Sequence, residues 1–196
     1  MKKLIALTIL VWMGAIANGV MAQESKTTPN LNRKALKEAE KAREKAEEKA
    51  LEQLRYENAL KALNENQFAI EANQAIFRNG ESAYVTPNTN FVIVDGDKGT
   101  VQVAFNTTYP GPNGIGGVTV DGSVSNFKKK TDRRGNINCS FNIQGIGISA
   151  QVYFTLVKGS SEITININPN FNSNTLTLNG TIMPLNESNV FKGRSW

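Results

Sequence analysis

Few residues of this chain could carry chemistry, and their types narrow the possibilities. The 196 residues include no histidine and one cysteine, Cys139. Ser-His-Asp catalysis, Cys-His catalysis and histidine zinc sites all need an imidazole, so all three are excluded. A single thiol can neither build a cysteine metal cage nor form an intrachain disulfide. Cys139 alternates with Ile137 and Phe141, which predicts a buried core thiol.

Four carboxylates of the predicted β domain could be considered for chemistry, and they are scattered across predicted turns and strand ends; they are Asp95, Asp97, Asp121 and Glu162. The segment Asp95-Gly96-Asp97 resembles part of a calcium loop, but the other ligands of such a loop are missing. A glycosidase needs two facing carboxylates, and nothing in the sequence pairs any of these four. We therefore predict no catalytic residue, no metal site and no cofactor.

The densest glycine cluster, here called the glycine block, is residues 109–122. A phosphate-binding loop would need a lysine and a following helix, whereas this block has no lysine and leads into a predicted strand. One interpretation is a turn whose glycines allow a positive φ or a bulge at the strand entrance. The other is a lid over the open end of a barrel, touching a ligand through Tyr109, Asn113, Ile115, Gly116 and Gly117.

Basic residues cluster on one predicted hairpin tip; they are Lys128, Lys129, Lys130, Arg133 and Arg134. Such a tip could meet anionic lipopolysaccharide, phospholipid or an acidic partner. The favoured alternative is a charged tip that keeps the hairpin soluble. The net charge of +5 falls by two to +3 once a leader carrying Lys2 and Lys3 is removed. This mild charge does not argue for a nucleic-acid partner.

The elements that must position these residues begin with a targeting segment, residues 1–22. Lys2 and Lys3 precede an apolar run from Leu4 to Ile16, and small residues end at Ala22. This pattern predicts a secretory signal peptide cleaved after Ala22, because the run is shorter than the roughly 20 residues of a transmembrane helix. No cysteine lies near the cut to carry a lipid. We therefore predict a periplasmic or secreted protein with no membrane span after cleavage.

A flexible leader, residues 23–31, and a long charged helix, residues 32–64, are predicted next. The helical segment is rich in Ala, Glu, Lys, Leu and Arg and contains no Gly or Pro. Lysines four apart each have a glutamate three residues on, so the two charged ridges neutralise each other. Large apolar groups occur only in the last turns, at Leu51, Leu54, Leu60 and Leu63. The pattern predicts a solvated stalk that docks at its C-terminal end, with a coiled coil or partner-binding arm as the alternative.

From residue 66 onward the apolar residues alternate with period two, which predicts a β domain over residues 65–196. About eight or nine strands, joined mostly by short turns, form an antiparallel meander. A sheet this wide closes into a small barrel or folds as a barrel-like sandwich. Gly122 and Gly180 lie in mid-strand, where sharp bends need glycine. An outer-membrane barrel shows the same alternation, but the paired aromatic belts of that class are missing.

The run from Gly111 to Thr119 resembles the central motif of an exported Bacteroidetes family known only as a domain of unknown function (DUF4251). The other matching pieces are Asn90-Phe91, Val101-Gln102, Gly145 with Gly147-Ile148-Ser149-Ala150, and Val190-Phe191-Lys192-Gly193. The resemblance covers roughly residue 66 to the C-terminus. It implies export and a calycin-like or related β-barrel, and it brings no catalytic residues.

The sequence itself reveals no biochemical activity. We predict a non-enzymatic ligand-binding or interaction β-barrel whose partner is an apolar small molecule or an envelope protein. The first alternative is a structural or assembly factor of the envelope that recruits a partner through its helix. The second and least favoured alternative is a histidine-free carboxylate hydrolase.

Overall fold

The computed structural model describes residues 29–105, 108, 111–146, 149–170 and 175–195. The predicted signal peptide, with its cleavage after Ala22, lies outside the described residues. The chain divides into two units, residues 1–41 and 42–196. The elements of the described residues are α1 (Pro29–Glu65), β1 (Gln67–Ile76), β2 (Ser82–Tyr84), β3 (Phe91–Asp95), β4 (Lys98–Ala104), β5 (Gly117–Thr131), β6 (Ile137–Gly145), β7 (Ser149–Leu156), β8 (Glu162–Pro169) and β9 (Leu176–Pro184).

The strands form a closed antiparallel barrel of eight strands, which confirms the predicted mainly β fold and selects the barrel over the sandwich. Strands β3 to β9 follow one another as a meander, and β1 closes the barrel by pairing with both β3 and β9. The short β2 pairs with the far half of β1, from Gln74 to Ile76. Closure gives each of the eight barrel strands a partner on both sides, although the end of β5 beyond Val124 extends past β4 and pairs with β6 alone.

The mid-strand glycines lie where another backbone approaches closely. A Cβ on Gly122 would lie 2.2 Å from the carbonyl oxygen of Gln144, and one on Gly180 would lie 2.1 Å from that of Glu71. The pairing of β1 with β9 shifts register between Ala72 and Gln74, beside Gly180. The sequence predicts that these two glycines serve sharp bends. The structure shows what requires glycine there, because a side chain would collide with the neighbouring strand.

Side chains fill the barrel interior. Phe68 is fully buried, and its ring centroid lies 5.9 Å from that of Phe154 and 6.4 Å from that of Phe141, both edge-on. Phe127 stacks on Phe141 at 5.5 Å. Cys139 points into the same core, as its alternation with Ile137 and Phe141 predicts. Aromatic pairs in this geometry attract beyond the burial of their area, so the interior is a packed core.

The helix packs on the core through its last turns, as predicted. The side chains from residue 33 to residue 55 are exposed, whereas Tyr56, Ala59, Ala62 and Leu63 are buried. The helix begins at Pro29, three residues before the predicted start, because proline is well tolerated in the first turn. Within the described part of the chain, no helix is long and apolar enough to span a membrane.

We expect the two ends of α1 to differ sharply in their effect on stability. Leu63→Ala removes a fully buried side chain and should lower the free energy of unfolding by about 2–5 kcal/mol. Leu54→Ala, on the same helix at 54% exposure, is the matched control and should change it by less than about 0.5 kcal/mol. Urea denaturation, monitored by far-UV circular dichroism, measures the free energy of unfolding of both variants. Equal effects would contradict docking through the last turns alone.

Candidate functional site

The described part of the glycine block is organised by the buried side chain of Asn113, which is 2% exposed. Its Oδ1 accepts hydrogen bonds from the backbone N–H groups of Ile115 (3.1 Å) and Gly117 (2.9 Å). Its Nδ2 donates to the carbonyl oxygen of Val103 and to Oγ1 of Thr119, both at 3.3 Å. Both donors and both acceptor positions of the amide are used within the protein. Asn113 therefore holds the loop and is not presented to a ligand.

The two consecutive glycines of the block serve the strand entrance. Gly116 has a φ of 91°, in the region that favours glycine. A Cβ on Gly117 would lie 1.8 Å from the carbonyl oxygen of Val103 on the paired strand. Both observations match the turn interpretation of the sequence. Of the five candidate lid residues, Tyr109 lies outside the described residues, and Asn113, Gly116 and Gly117 have backbone or hydrogen-bonding tasks in the loop.

A buried polar cluster lies on the outer face of the sheet beside this loop. Gln102 of β4 is fully buried although it points away from the barrel core. Its Nε2 donates to the carbonyl oxygens of Thr89 (3.0 Å) and Phe191 (2.7 Å). Its Oε1 accepts from Oγ1 of Thr119 (2.8 Å) and from the N–H of Gly193 (2.7 Å). All the hydrogen-bonding capacity of this amide is satisfied.

Residues 188–195, here called the C-terminal strap, cover this polar cluster. The N–H of Phe191 donates to the carbonyl oxygen of Asn88 at 2.7 Å, and the N–H of Arg194 donates to that of Asn113 at 3.1 Å. Lys192 forms an ion pair with Asp121 at 2.6 Å. The strap is thus fixed to the outer face of β4 and β5 and to the glycine block by backbone and side-chain bonds together.

Four of the five pieces of sequence that carry the family resemblance meet in this cluster, and the piece from Gly145 to Ala150 lies elsewhere, at β6 and β7. Asn90 is fully buried, and its Oδ1 accepts a 2.8 Å hydrogen bond from the N–H of Ala104. Gln102 and Thr119 come from two further pieces, and Gly193 comes from the strap. Sequence reasoning took the glycine run as the signature and missed the role of Gln102. The available signal was Gln102 itself, an amide at an outward position of a predicted strand and a member of the matching pair Val101-Gln102.

The fifth candidate residue, Ile115, lines an apolar groove. Phe77 and Phe105 form its floor, with ring centroids 5.4 Å apart, and Val85 and Ala104 also line it. The groove has a volume of ≈ 730 Å³. The structure therefore brings one lid residue to an apolar surface that borders the core, because Phe77, Val85 and Phe105 pack against the core residues.

The structure divides the predicted basic patch. Lys128 and Lys130 of β5 are paired with Ser140 and Asn138 on the outer face, whereas Nζ of the intervening Lys129 donates to Oδ1 of Asn64 in α1. Consecutive residues of a strand point to opposite faces, so three adjacent lysines cannot form one surface. Arg133 and Arg134 lie in the turn between β5 and β6.

The turn that carries the two arginines is held by Asp132. Its Oδ1 accepts from the N–H groups of Arg134 (2.8 Å) and Asn136 (2.9 Å), and its Oδ2 accepts from Nδ2 of Asn136 at 2.9 Å. This carboxylate therefore shapes the tip as well as reducing its charge.

The four carboxylates singled out from the sequence lie in separate settings. Asp95 and Asp97 flank the turn between β3 and β4, where Oδ1 of Asp95 accepts a 3.0 Å hydrogen bond from Gln67. Asp121 is bound by the strap, and Glu162 begins β8 opposite Thr181. Within the described ranges, no group of three or more His, Cys, Asp or Glu side chains is placed to hold a metal ion.

Burial raises the pKa of the Cys139 thiol to about 12, although the charge of Lys129 opposes the shift. A thiol with such a pKa is almost entirely protonated at neutral pH, and the thiolate is the reactive form. Cys139 is therefore a core residue and not a nucleophile.

Comparisons with known proteins agree with the resemblance seen in the sequence. The family model described as "Domain of unknown function (DUF4251)" matches residues 50–182. A crystal structure of a DUF4251 family protein from Bacteroides eggerthii DSM 20697 is 65% identical with a TM-score of 0.65. The match covers 76% of this chain and 99% of that chain. No curated protein was found to match.

The ion pair that anchors the strap should make stability depend on pH. Burial pushes the pKa of Asp121 upward, but hydrogen bonds from Lys192, Thr100 and Ser195 and the charge of Lys192 outweigh it and hold this pKa below its ordinary value. Because the pKa is lower in the folded state, the contribution is present above the unfolded value of about 3.9 and is lost as pH falls through the folded value.

We expect Asp121→Asn to lower the free energy of unfolding at pH 7 by about 0.5–1 kcal/mol, a small amount because the ion pair is partly exposed and screened. The difference from the parent protein should begin to shrink as the pH falls below about 4, the unfolded pKa of aspartate. It should approach zero only once the pH is below the lowered pKa of Asp121 in the folded protein, where the parent carboxylate is protonated. Thermal denaturation from pH 3 to pH 7 measures it. The control is Asp97→Asn, which removes an exposed carboxylate from a turn. A pH-independent difference for Asp121→Asn would contradict the account.

Proposed function

The chain belongs to the DUF4251 family, and we propose that it is an exported, non-enzymatic β-barrel that binds an apolar ligand in a groove on its surface. Export is supported by the charged, apolar and small-residue order of residues 1–22. The absence of histidine and the presence of one cysteine, which is buried, argue against the common nucleophilic and metal-assisted chemistries.

The observation that carries this proposal is the apolar groove beside Ile115. The phenylalanine core fills the middle of the barrel, and the groove lies at the border of that core, where Phe77, Val85 and Phe105 pack against it. The groove volume of ≈ 730 Å³ lies within the usual range for small-molecule sites, about 300–1,000 Å³. Its floor is aromatic, and polar groups of Thr86 and Thr89 lie at its lining. An apolar body with one polar end matches this distribution of groups.

Tyr84 adds a second reason to place a ligand there. This residue of β2 lines the groove and is 91% exposed, which is an unusual setting for a large aromatic side chain. A bound ligand would cover part of the ring and leave the hydroxyl in water, the arrangement in which tyrosine is favoured at binding surfaces.

A second candidate function, recruitment of an envelope partner by α1, is favoured by two exposed leucines. Leu51 is 47% exposed and Leu54 is 54% exposed, and residues three apart lie on the same face of a helix. A partner helix could cover both. The pair is small compared with the groove, so we place this function second.

Binding of N-phenyl-1-naphthylamine, an uncharged apolar fluorophore, tests the groove. We expect its fluorescence to rise with the parent protein and expect Ile115→Glu to weaken binding by about tenfold or more, because the charge must be desolvated beside an apolar ligand. The matched control is Ile146→Glu at an isoleucine that is 85% exposed in the turn after β6, and it should bind as the parent does.

Melting curves of both variants show that the barrel is intact before binding is compared. Absence of a fluorescence change with the parent protein would overturn the proposal. An equal loss in the two variants would also overturn it, because the probe would then report general surface charge and not the groove.

A further inference from the structure

The outer face of β6 to β9 differs from the face that the strap covers. Its outward side chains carry amides and hydroxyls in rows that cross the strands. We call the central six residues the amide array; they are Asn138, Thr155, Thr164, Asn179, Tyr153 and Asn166. All six are uncharged, and their neighbours toward the barrel core are apolar.

Hydrogen bonds fix the rows. Oγ1 of Thr155 donates to Oδ1 of Asn138 at 2.7 Å, and Oγ1 of Thr164 donates to Oδ1 of Asn179 at 2.9 Å. In the next row Oγ1 of Thr177 donates to Oδ1 of Asn166 at 2.9 Å. Neighbouring strands repeat about every 4.8 Å, so the rows present polar groups at regular intervals on a rigid support.

The array keeps hydrogen-bonding capacity for a ligand. Asn138 and Asn166 accept through Oδ1, and among the described residues neither Nδ2 group donates to a protein atom. Each such group provides two N–H donors. Tyr153 lies between Ser140 and Asn166 in the cross-strand register and is 38% exposed. Donors, acceptors and one accessible aromatic ring thus share one surface.

A shallow cavity of ≈ 540 Å³ continues the array toward the turn between β7 and β8. Thr155, Thr164 and Asn179 line it together with the apolar side chains of Val157 and Ile163 and the carboxylate of Glu162. Its volume is within the range of small-ligand sites. The cavity gives the flat face a place where part of a longer ligand can be enclosed.

We propose that the amide array binds a neutral polysaccharide chain. Sugar hydroxyls both donate and accept, as the amides and hydroxyls of the array do, and the apolar face of a sugar ring can stack on Tyr153. The six residues of the array are uncharged, and Lys128 and Lys130 on β5 lie at its border. Glu162, at the start of β8, lines the cavity, where its carboxylate can accept a hydrogen bond from a sugar hydroxyl.

A polypeptide fits this surface less well. Peptides commonly add a strand to a free sheet edge, and the backbone groups of these strands are already paired on both sides because the barrel is closed. The array lies on residues other than those of the apolar groove, so this inference stands independently of the ligand proposed there.

Native affinity electrophoresis tests the inference, with the full chain run through gels containing galactomannan, xylan or dextran. We expect at least one of these polysaccharides to retard the protein, and Tyr153→Ala to weaken that retardation by about tenfold or more. Ile146→Ala is the control, since it removes an even more exposed apolar side chain (85% exposed) outside the array and should leave retardation unchanged. Tyr153→Phe keeps the ring and should retain most of the binding.

Three outcomes would overturn the inference. The first is no retardation by any of the three polysaccharides. The second is an equal loss in the Tyr153→Ala and Ile146→Ala variants. The third is retardation by the anionic polysaccharide polygalacturonate alone that disappears in 0.5 M NaCl. Salt at this concentration screens exposed charges beyond about 3–4 Å, so the bordering lysines would then be the binding groups.

Discussion

The packing of the C-terminal strap and the glycine block against the outer face of β4 and β5 depends on the side-chain amide of Gln102. A fully buried amide that points away from the core is costly unless every donor and acceptor is satisfied. Here the partners are Thr89, Thr119 and two residues of the C-terminal strap. The strap must therefore lie across β4 for the amide to be buried at low cost. The glycine block must also fold back, because Asn113 both contacts Thr119 and accepts the strap through its carbonyl oxygen.

This arrangement changes the meaning of the glycine block. Its position between two strands and its glycine content suit a binding loop, yet the side chain of Asn113 is used entirely within the loop. The block is an anchor for the strap. The phenylalanine core fills the middle of the barrel and the strap covers one outer face, whereas the groove beside Ile115 and the amide array are two surfaces that stay open among the described residues. The binding proposals follow from what the structure leaves open.

Most of the fold follows from local patterns in the sequence. Period-two alternation predicts the strands, and the mid-strand glycines Gly122 and Gly180 predict sharp bends, whereas the close backbone approaches at these positions are seen only in the structure. Charge ridges and late leucines predict a helix that docks at its end. Closure between β1 and β9 and the burial of Gln102 are not local, since their partners lie about a hundred residues apart in the chain. In the sequence, an outward amide that is buried looks the same as an outward amide that is solvated. Only the strap that covers Gln102 distinguishes the two cases. The three adjacent lysines predicted one basic patch at a hairpin tip. Strand alternation divides this patch, because it directs Lys129 toward α1.

Amide hydrogen exchange of the strap tests the central claim most directly. In the parent protein the N–H groups of Phe191 and Gly193 should be protected, because they donate to Asn88 and to Gln102. In Gln102→Ala we expect amide exchange at Gly193 and its neighbours in the strap to rise by about tenfold or more. The amides of strand β7 should keep exchanging only through global unfolding, as in the parent protein. Strap amides that exchange at the unprotected rate in the parent protein would contradict the account. Protection that is unchanged by Gln102→Ala would contradict it as well.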